Sequence, residues 1–381
     1  MKLSKRFIEF YEDFAANYFQ KKYEKIFRKI YKFSKYSYRI ENTYRNQLHK
    51  CHVSNKEAKQ IKHYWKNYTK DFKLISHKFY RTSNGTPDCR FIPDDIYAEY
   101  IEQHFNNIKL ANAFCDKNYF DLYLKGFSLP TTYIHLINNV FLNRDYQIIS
   151  EKEAEKILLS FKSFVVKKSI SSSGGTGVII VDKINKKLLK ELFNQLKDGN
   201  YIFQEYIKQC STLSKFNTSS LNTIRIVSLM YKDKIFLSNA TLRVGIKGSK
   251  VDNASSGGIF YQINEDDTVY PIPMNLDGYK QEKIESKCYK ENTKLSFMQD
   301  VRNLVIKAAQ RFPHFQIIAW DIAIRQNNSP VIIEYNLANT IPDMTQMSGK
   351  PLFGDLTDEI LNEVFKSDNK EKPGLNTNEY I

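Results

Sequence analysis

The chain has 381 residues, of which 42% are hydrophobic, and it carries a formal net charge of +15. This length is sufficient for two or three domains with sizeable cores, and no apolar run approaches the roughly 18 residues of a membrane-spanning helix. Five scattered cysteines without a CxxC pair exclude a zinc ribbon and a disulfide framework. Acidic residues within the N-terminal stretch MKLSKRFIEFYEDF do not fit a signal peptide, so we expect a cytoplasmic protein with reduced thiols.

The positive charge is concentrated near the N-terminus. Residues 1–80 hold 20 Lys and Arg against 7 Asp and Glu, and aromatic residues recur there at spacings of three and four, as in Phe7, Phe10, Tyr11 and Phe14. This pattern predicts amphipathic helices. Their aromatic face either packs on a neighbouring element or, with the lysines, lies on an anionic membrane or polymer. Single-stranded nucleic acid is a third interpretation, which no RNA-binding motif supports.

After a boundary at SNGTPDC (83–89), a mixed segment leads to strands alternating with helices from about residue 161. Short β-branched runs are separated by helical stretches such as INKKLLKELFNQLKDG, and a polar tail follows at the C-terminus. Strands grouped with helices on one side predict an α+β fold.

The loop KKSISSSGGTG (167–177) lies between the strand-like runs FVV and VIIVD. Small residues and paired lysines are consistent with a hairpin turn, and equally with a loop whose backbone N–H groups surround a phosphate. The loop by itself does not distinguish these alternatives.

The stretch AWDIAIRQNNSPVIIEYN predicts a β-hairpin with strands at about 317–324 and 331–336. Alternation places Glu334 and Asn336 on one face, with Ile333, Tyr335 and Leu337 on the opposite face.

If the hairpin is symmetric about its turn, Asp321 pairs directly with Glu334, with their Cβ atoms about 4.5–5.5 Å apart. Two carboxylates this close repel unless one is protonated or a cation lies between them. With the Asn336 amide oxygen they form a set that suits Mg²⁺, and a bridging Glu334 could hold two ions. The alternative is a solvated polar face without a metal.

Seven ordered motifs together resemble the ATP-grasp superfamily, and within it the sugar-transfer-associated family, over about residues 110–350. The two stretches that carry most of this resemblance are the lysine-glycine loop and the WDIAI…PVIIEYN hairpin. The others are DKNYF (116–120), LPTTYIH, YIFQEYI, SLNTIRIVSLM and TLRVGIKGSKVDNASSGGIFYQI.

The resemblance implies an ATP-grasp fold, with two α+β subdomains clasping ATP and Mg²⁺. It implies that Lys117 meets the nucleotide, that Lys167 rather than Lys168 contacts the phosphates, and that hinge residues flank the adenine. The implied cofactor-binding residues are Lys117, Lys167, Ser171, Ser172, Ser173, Gly174, Gly175, Thr176, Gly177, Gln204, Glu205, Tyr206 and Ile207, with Asp321, Glu334 and Asn336 for the metal.

The same resemblance divides the chain into five parts, and one feature departs from it. The stretch KQCSTLSKFNTSS after the hinge lacks the acidic residue that binds ribose in many superfamily members.

The five predicted parts of the chain are a basic helical region (1–82), a connecting segment (83–160), a lid subdomain (161–208), a C-terminal subdomain (209–365) and the tail (366–381).

Two strand arginines, Arg225 and Arg243, are candidates for catalytic contacts to a transferred phosphate or a substrate carboxylate, because a strand arginine requires a partner. An exposed strand face is the alternative. The segment VDNASSGG is either a turn or a substrate pocket, and its candidate substrate residues are Asp252, Asn253, Ser255, Gly257 and Gly258.

The resemblance implies an ATP-dependent ligase that joins a carboxylate to an amine through an acyl phosphate. The family name implies a setting in surface-polysaccharide synthesis, with glycan-linked substrates and a basic N-terminal region that meets an anionic glycan or the inner membrane surface. Phosphotransfer on the same fold is the alternative enzyme activity. A non-catalytic nucleic-acid-binding protein is the alternative from a different class.

Overall fold

The described strands form two antiparallel sheets flanked by helices, as the α+β prediction requires. Predictions that concern the N-terminal aromatic stripe, the loop residues 171–176 and the segment 251–256 lie outside the described residues. No helix among the described residues has the length and apolar character needed to cross a bilayer. The computed structural model describes residues 52–70, 72–170, 177–245, 257–278, 280, 293–340 and 342–366.

The helices vary from single turns to three-turn segments, and a π-helical turn (Tyr97–Ile101) joins two of them into one continuous stretch. Two 3₁₀ turns cover Lys117–Tyr119 and Gly354–Leu356. The α-helices are α1 (Asn55–Lys66), α2 (Ile75–Asn84), α3 (Asp94–Ile96), α4 (Glu102–Phe105), α5 (Ile108–Phe114), α6 (Phe120–Tyr123), α7 (Glu151–Leu159), α8 (Lys186–Gln195), α9 (Ser211–Ser214), α10 (Met298–Ala309), α11 (Asp343–Met347) and α12 (Thr357–Lys366).

Six strands form each sheet within the described part of the chain. We call the first the lid sheet, with the order β3-β2-β1-β6-β4-β5, and the second the C-terminal sheet, with the order β10-β9-β7-β11-β12 and β8 paired to β7. The strands are β1 (Thr132–Ile137), β2 (Val140–Asn143), β3 (Ile148–Ile149), β4 (Ser163–Lys168), β5 (Val178–Asp182), β6 (Tyr201–Glu205), β7 (Thr223–Tyr231), β8 (Lys234–Leu237), β9 (Thr241–Val244), β10 (Ile259–Gln262), β11 (Ile317–Ile324) and β12 (Pro330–Asn336).

The lid sheet buries one face under α7 and α8, where Leu158, Leu189 and Phe193 pack with the inward side chains of the strands. The opposite face carries a row of cross-strand partners, His135, Ile202 and Lys167. Because β1 pairs with β6, this sheet begins before residue 160 and crosses the predicted boundary between the connecting segment and the lid.

The C-terminal sheet is covered on both faces. Helix α10 packs on one face through Val301 and Val305, against a core that includes Trp320. On the other face, Ile61 and Trp65 of α1 belong to the cluster that covers part of β7. The described part of the basic region is therefore helical and structural, because its aromatic residues are packed on the core.

Helix α1 begins where the sequence supplies a capping box. The hydroxyl of Ser54 accepts a hydrogen bond from the Glu57 backbone N–H (3.2 Å), and the Glu57 carboxylate accepts one from the Ser54 N–H (2.6 Å). The reciprocal bonds satisfy two donors that a helix start leaves open. Helix α2 ends at Gly85, whose φ of +83° is the left-handed conformation that glycine adopts without strain.

His77 of α2 is buried beside the Trp65 indole, whose Nε1 lies 3.2 Å from the ring nitrogen Nε2. Burial lowers the pKa of His77 to about 4. The unfolded chain therefore binds one more proton between pH 6.5 and 4, and folding stability falls as the pH drops through this range.

We expect His77→Gln to reduce the loss of stability between pH 7.5 and pH 5 by about 2 kcal/mol, because the substitution removes one titrating group. Urea unfolding of both proteins at the two pH values measures this difference. An equal pH dependence in the two proteins would contradict the assignment, whatever the absolute stability of the variant.

Candidate active site

The hairpin of β11 and β12 has the predicted register at its polar face. Asp321 is the cross-strand partner of Glu334, and Ala319 is the partner of Asn336. The two carboxylates and the amide therefore lie on one side of adjacent strands. This part of the sequence prediction is confirmed.

One detail of the hairpin prediction was wrong. The register shifts by one residue between Asp321 and Ile322, so the alternation of side chains breaks at Ile333. Tyr335 packs in the core under α10, as expected, but Ile333 lies on the other face beside Val331. A β-bulge inserts one extra residue in one strand, and the simple period of two cannot anticipate it.

Asp321 lies between two arginines from neighbouring strands. Its Oδ1 is 2.7 Å from Nε of Arg225 and accepts a hydrogen bond from Nη1 of Arg243 at 2.7 Å, while Nη2 of Arg225 donates to Oδ2 at 3.1 Å. Burial alone would raise the pKa of the Asp321 carboxyl, but the two guanidinium charges outweigh it and hold the pKa below its ordinary value. Asp321 is therefore ionised.

Asp321 is thus the partner of both strand arginines. The side chain of Arg225 is 22% exposed, and that of Arg243 is 8% exposed. Neither arginine lies on an open strand face, so the alternative of an exposed face is wrong. Of the two side chains, that of Arg225 is the more exposed to solvent.

Glu334 is held by a lysine from the segment that precedes the lid sheet. Nζ of Lys117, in the 3₁₀ turn before α6, lies 2.9 Å from its Oε1, and Lys117 itself is buried. Lys167 of β4 also contributes to this site, because the charges of Lys117 and Glu334 both act on it. The contact brings residues 117 and 334 together across 217 positions of the sequence.

Of the two adjacent lysines, Lys167 is half-buried and Lys168 is exposed. Burial and the neighbouring charge of Lys117 lower the pKa of Lys167 to about 8, and the Glu334 carboxylate partly opposes this shift. Lys167 is therefore mostly protonated at neutral pH and lies near two other charged groups of the site. This placement agrees with the preference for Lys167 as the inward residue.

The sequence model of the sugar-transfer associated ATP-grasp family matches residues 96–359, which is more than half of the chain. The protein belongs to this family. Family membership confirms the predicted ATP-grasp fold. No curated protein sequence matches the chain.

Two solved structures are similar to the chain, each with a TM-score below 0.5. The chain covers about three fifths of the length of each. They are the ATP-grasp ligase PsnB complexed with minimal precursor, Mg and ADP (11% identity, 68% of this chain, 62% of that chain, TM-score 0.40) and the D-alanine-D-alanine ligase from Coxiella burnetii (12% identity, 68% and 60%, TM-score 0.40).

The hinge residues of this ATP-grasp chain differ in their surroundings. Glu205 forms a bidentate ion pair with Arg325, whose Nη2 lies 3.0 Å from Oε2, and Oε2 also accepts a hydrogen bond from the Thr131 N–H at 3.1 Å. Burial would raise the pKa of Glu205, but Arg325 outweighs it and the pKa is lowered. The Glu205 carboxylate therefore ties β6 to the end of β11 and is already occupied.

The other hinge residues differ in burial. Gln204 is buried and its amide lies 3.3 Å from the Thr132 hydroxyl, whereas Tyr206 is 38% exposed. Ile207 packs with Ala323 and Val331 at the turn end of the hairpin. These apolar side chains are the ones suited to lie against a flat aromatic base.

Several predicted site residues flank the parts of the chain outside the described ranges. Nine of the predicted site residues lie outside the described ranges: Ser171, Ser172, Ser173, Gly174, Gly175, Thr176, Asp252, Asn253 and Ser255. Gly177 has a φ of +82°, and an added Cβ would lie 3.3 Å from Cβ of Lys168, so a larger residue would be strained at the base of the loop. Gly258 is buried directly before β10, whose Phe260 pairs with Arg243.

The oxygen atoms of the hairpin fit a hard cation. In the described part of the chain, no three His, Cys, Asp or Glu side chains cluster as a metal site. Two carboxylates and one amide fit Mg²⁺ in particular, because this ion takes most of its ligands from water and phosphate. Glu334 is the more available carboxylate, since both oxygens of Asp321 already contact arginines.

Sequence reasoning missed Arg325, Asn118 and His135, although all three are close to predicted residues. Arg325 was assigned only to the hairpin turn, and its partner Glu205 is 120 positions away. His135 occurs within an apolar strand, and no local pattern distinguishes it from a core residue.

We expect Asp321→Asn to destabilise the protein by about 3–5 kcal/mol, because it leaves two largely buried guanidinium groups without their counter-charge. The matched control is Asp355→Asn, which removes a fully exposed partner of Arg90 and should cost less than about 1 kcal/mol. Chemical denaturation at pH 7.5 measures both values. Equal effects of the two substitutions would rule out the buried arginine-carboxylate cluster.

Proposed function

We propose that this protein is an ATP-dependent carboxylate–amine ligase, which joins an amino acid or amine to a sugar acid through an acyl phosphate. The observation that carries the proposal is the contact between Lys117 and Glu334. It brings a cation from the turn before the lid sheet, whose backbone also bonds to Ser169 beside β4, against the oxygen-ligand hairpin of the C-terminal sheet. A site for a metal-bound polyphosphate needs both features at the same place.

In this proposal, Lys117 and Lys167 contact the phosphates of ATP. A lysine ammonium is a compact charge suited to that task. The residues 171–177 close over the phosphates, and Gln204 to Ile207 flank the adenine, with the buried Ile207 supplying an apolar surface. The Glu205 carboxylate is held by Arg325, so in this proposal only the backbone groups of Glu205 contact the base.

Mg²⁺ would be held by Glu334, Asn336 and Asp321, as one or two ions, and when bound it neutralises charge on the transferred phosphoryl group. The chain's own residues add two further cations on the same face, Arg225 and Arg243. Asp321 fixes the orientation of both guanidinium groups. The more accessible Arg225 is the better placed to meet the substrate.

The proposed reaction has two steps. The substrate carboxylate attacks the terminal phosphorus of ATP, so that an acyl phosphate forms and ADP leaves. The amine then attacks the acyl carbon, phosphate leaves, and the nitrogen loses a proton. Charge neutralisation and positioning supply most of the rate acceleration, and closure of the loop excludes the water that would hydrolyse the acyl phosphate.

The sugar-acid part of the proposal is supported by the family description, sugar-transfer associated ATP-grasp. We further propose a role in surface-polysaccharide synthesis, in the cytoplasm at the inner face of the membrane. The basic N-terminal segment supports contact with an anionic glycan or membrane surface. Residues 1–51 alone contain 13 Lys and Arg against 5 Asp and Glu.

Incubation with Mg-ATP, pooled amino acids and uronic-acid sugars, followed by mass spectrometry and an ADP-release assay, tests the ligase activity. We expect amide adducts and equimolar phosphate, and Glu334→Gln should lower turnover by at least about 100-fold because it removes a metal and lysine contact. Glu359→Gln, an exposed carboxylate paired with Lys232, is the control and should retain full activity. A stable phosphorylated product would favour phosphotransfer instead, and wild-type turnover by Glu334→Gln would overturn the site.

Deleting residues 1–51 should weaken binding to anionic vesicles by about tenfold or more while leaving the thermal midpoint of the core nearly unchanged. The deletion ends before α1, because Trp65 of that helix is completely buried. Vesicle co-sedimentation at low and physiological salt measures the binding. Unchanged binding to anionic vesicles would remove the proposed membrane role of this segment.

A further inference from the structure

A polar network holds the short segment that carries Lys117. The Asp116 side chain accepts a hydrogen bond from the Asn118 N–H at 2.9 Å, which caps the 3₁₀ turn. The Lys117 N–H donates to the Ser169 carbonyl at 3.0 Å, at the end of β4. The turn that carries Lys117 is therefore capped by Asp116 and tied to the end of β4 through Ser169.

The side chain at the centre of this network is Asn118, which is fully buried. Its Oδ1 lies 2.9 Å from Nδ1 of His135, and its backbone carbonyl accepts a hydrogen bond from the Tyr146 hydroxyl at 2.7 Å. The Tyr146 ring also stacks on the His135 ring with a centroid distance of 4.5 Å. His135 and Tyr146 thus both form hydrogen bonds with Asn118, the residue that directly follows Lys117.

The chemistry of the pair fixes which atom donates. An amide oxygen only accepts, so the His135 ring must carry its proton on Nδ1 for this bond to form. Burial lowers the pKa of His135 to about 4, so the ring is neutral at physiological pH and keeps this single donor. His135 has no route to the reacting atoms of its own, because it is fully buried.

The network matters because Lys117 is linked to both sheets, through its backbone N–H to Ser169 beside β4 and through its side chain to the hairpin of the C-terminal sheet. Its Nζ contacts Glu334 on the hairpin, and its buried side chain has little freedom to compensate for a displaced backbone. His135 and Lys167 are both cross-strand partners of Ile202. His135 therefore also fixes the position of Lys117 relative to β4, the strand that carries Lys167.

We propose that His135 is a positioning residue, which acts through the Asn118 side chain to hold Lys117 in place for the nucleotide phosphates. This inference rests on the proposed function, since it takes Lys117 to be a phosphate contact. Tyr146 has the same role from the other side of the segment.

A double-mutant cycle with Mg-ADP as the probe tests the inference. His135→Leu should raise the Kd for Mg-ADP about tenfold in the wild-type background, because it leaves a buried acceptor unpaired beside Lys117. In a Lys117→Met background, the same substitution should change the Kd by less than about twofold. His135→Asn keeps a donor near the position of Nδ1 and should bind within about threefold of the wild type. Isothermal titration calorimetry gives the Kd values.

Tyr146→Phe provides a second variant in case His135→Leu does not fold. It keeps the ring on His135, removes only the hydroxyl donor, and should raise the Kd about threefold with Lys117 present and not in its absence. Equal effects in the two backgrounds, or equal losses for the leucine and asparagine variants, would overturn the positioning role. Because binding is measured directly, a failure of the ligase proposal would instead appear as missing amide product with the coupling intact.

Discussion

The ion pair between Lys117 and Glu334 is the contact on which the site depends. Its 2.9 Å distance joins a turn beside the lid sheet to the hairpin of the C-terminal sheet. The lysine side chain is 9% exposed and the glutamate side chain 30% exposed, so the pair lies at the edge of the core and not on the open surface. The two subdomains therefore present their charged residues to a common space.

The charged side chains around that space carry a net positive charge. Lys117, Lys167, Arg225 and Arg243 are four cations, against the two carboxylates Asp321 and Glu334. The excess of positive charge suits an anionic nucleotide and substrate, while burial and the neighbouring charge of Lys117 lower the pKa of Lys167. The arginines are anchored by Asp321, so their orientation is set before any ligand arrives.

Much of the architecture followed from local patterns. Alternating side chains and a turn-rich connection predicted the hairpin and the pairing of Asp321 with Glu334, because a short antiparallel hairpin leaves few possible registers. The bulge at Ile333 was not predictable, because it depends on how the strand fits its neighbours. A local pattern also cannot show that β1 belongs to the lid sheet, because β1 pairs with β6, which lies far along the chain.

The sequence by itself determined the fold class, the order of its motifs and the residue types of the hairpin, since these depend on periodicity and on neighbours close in the chain. Only the tertiary structure decided which side chains from distant parts of the chain meet. Arg325 with Glu205, the two arginines with Asp321, and His135 with Asn118 come together through sheet order and register. Such pairings depend on how distant segments pack, and a local pattern carries no information about that packing.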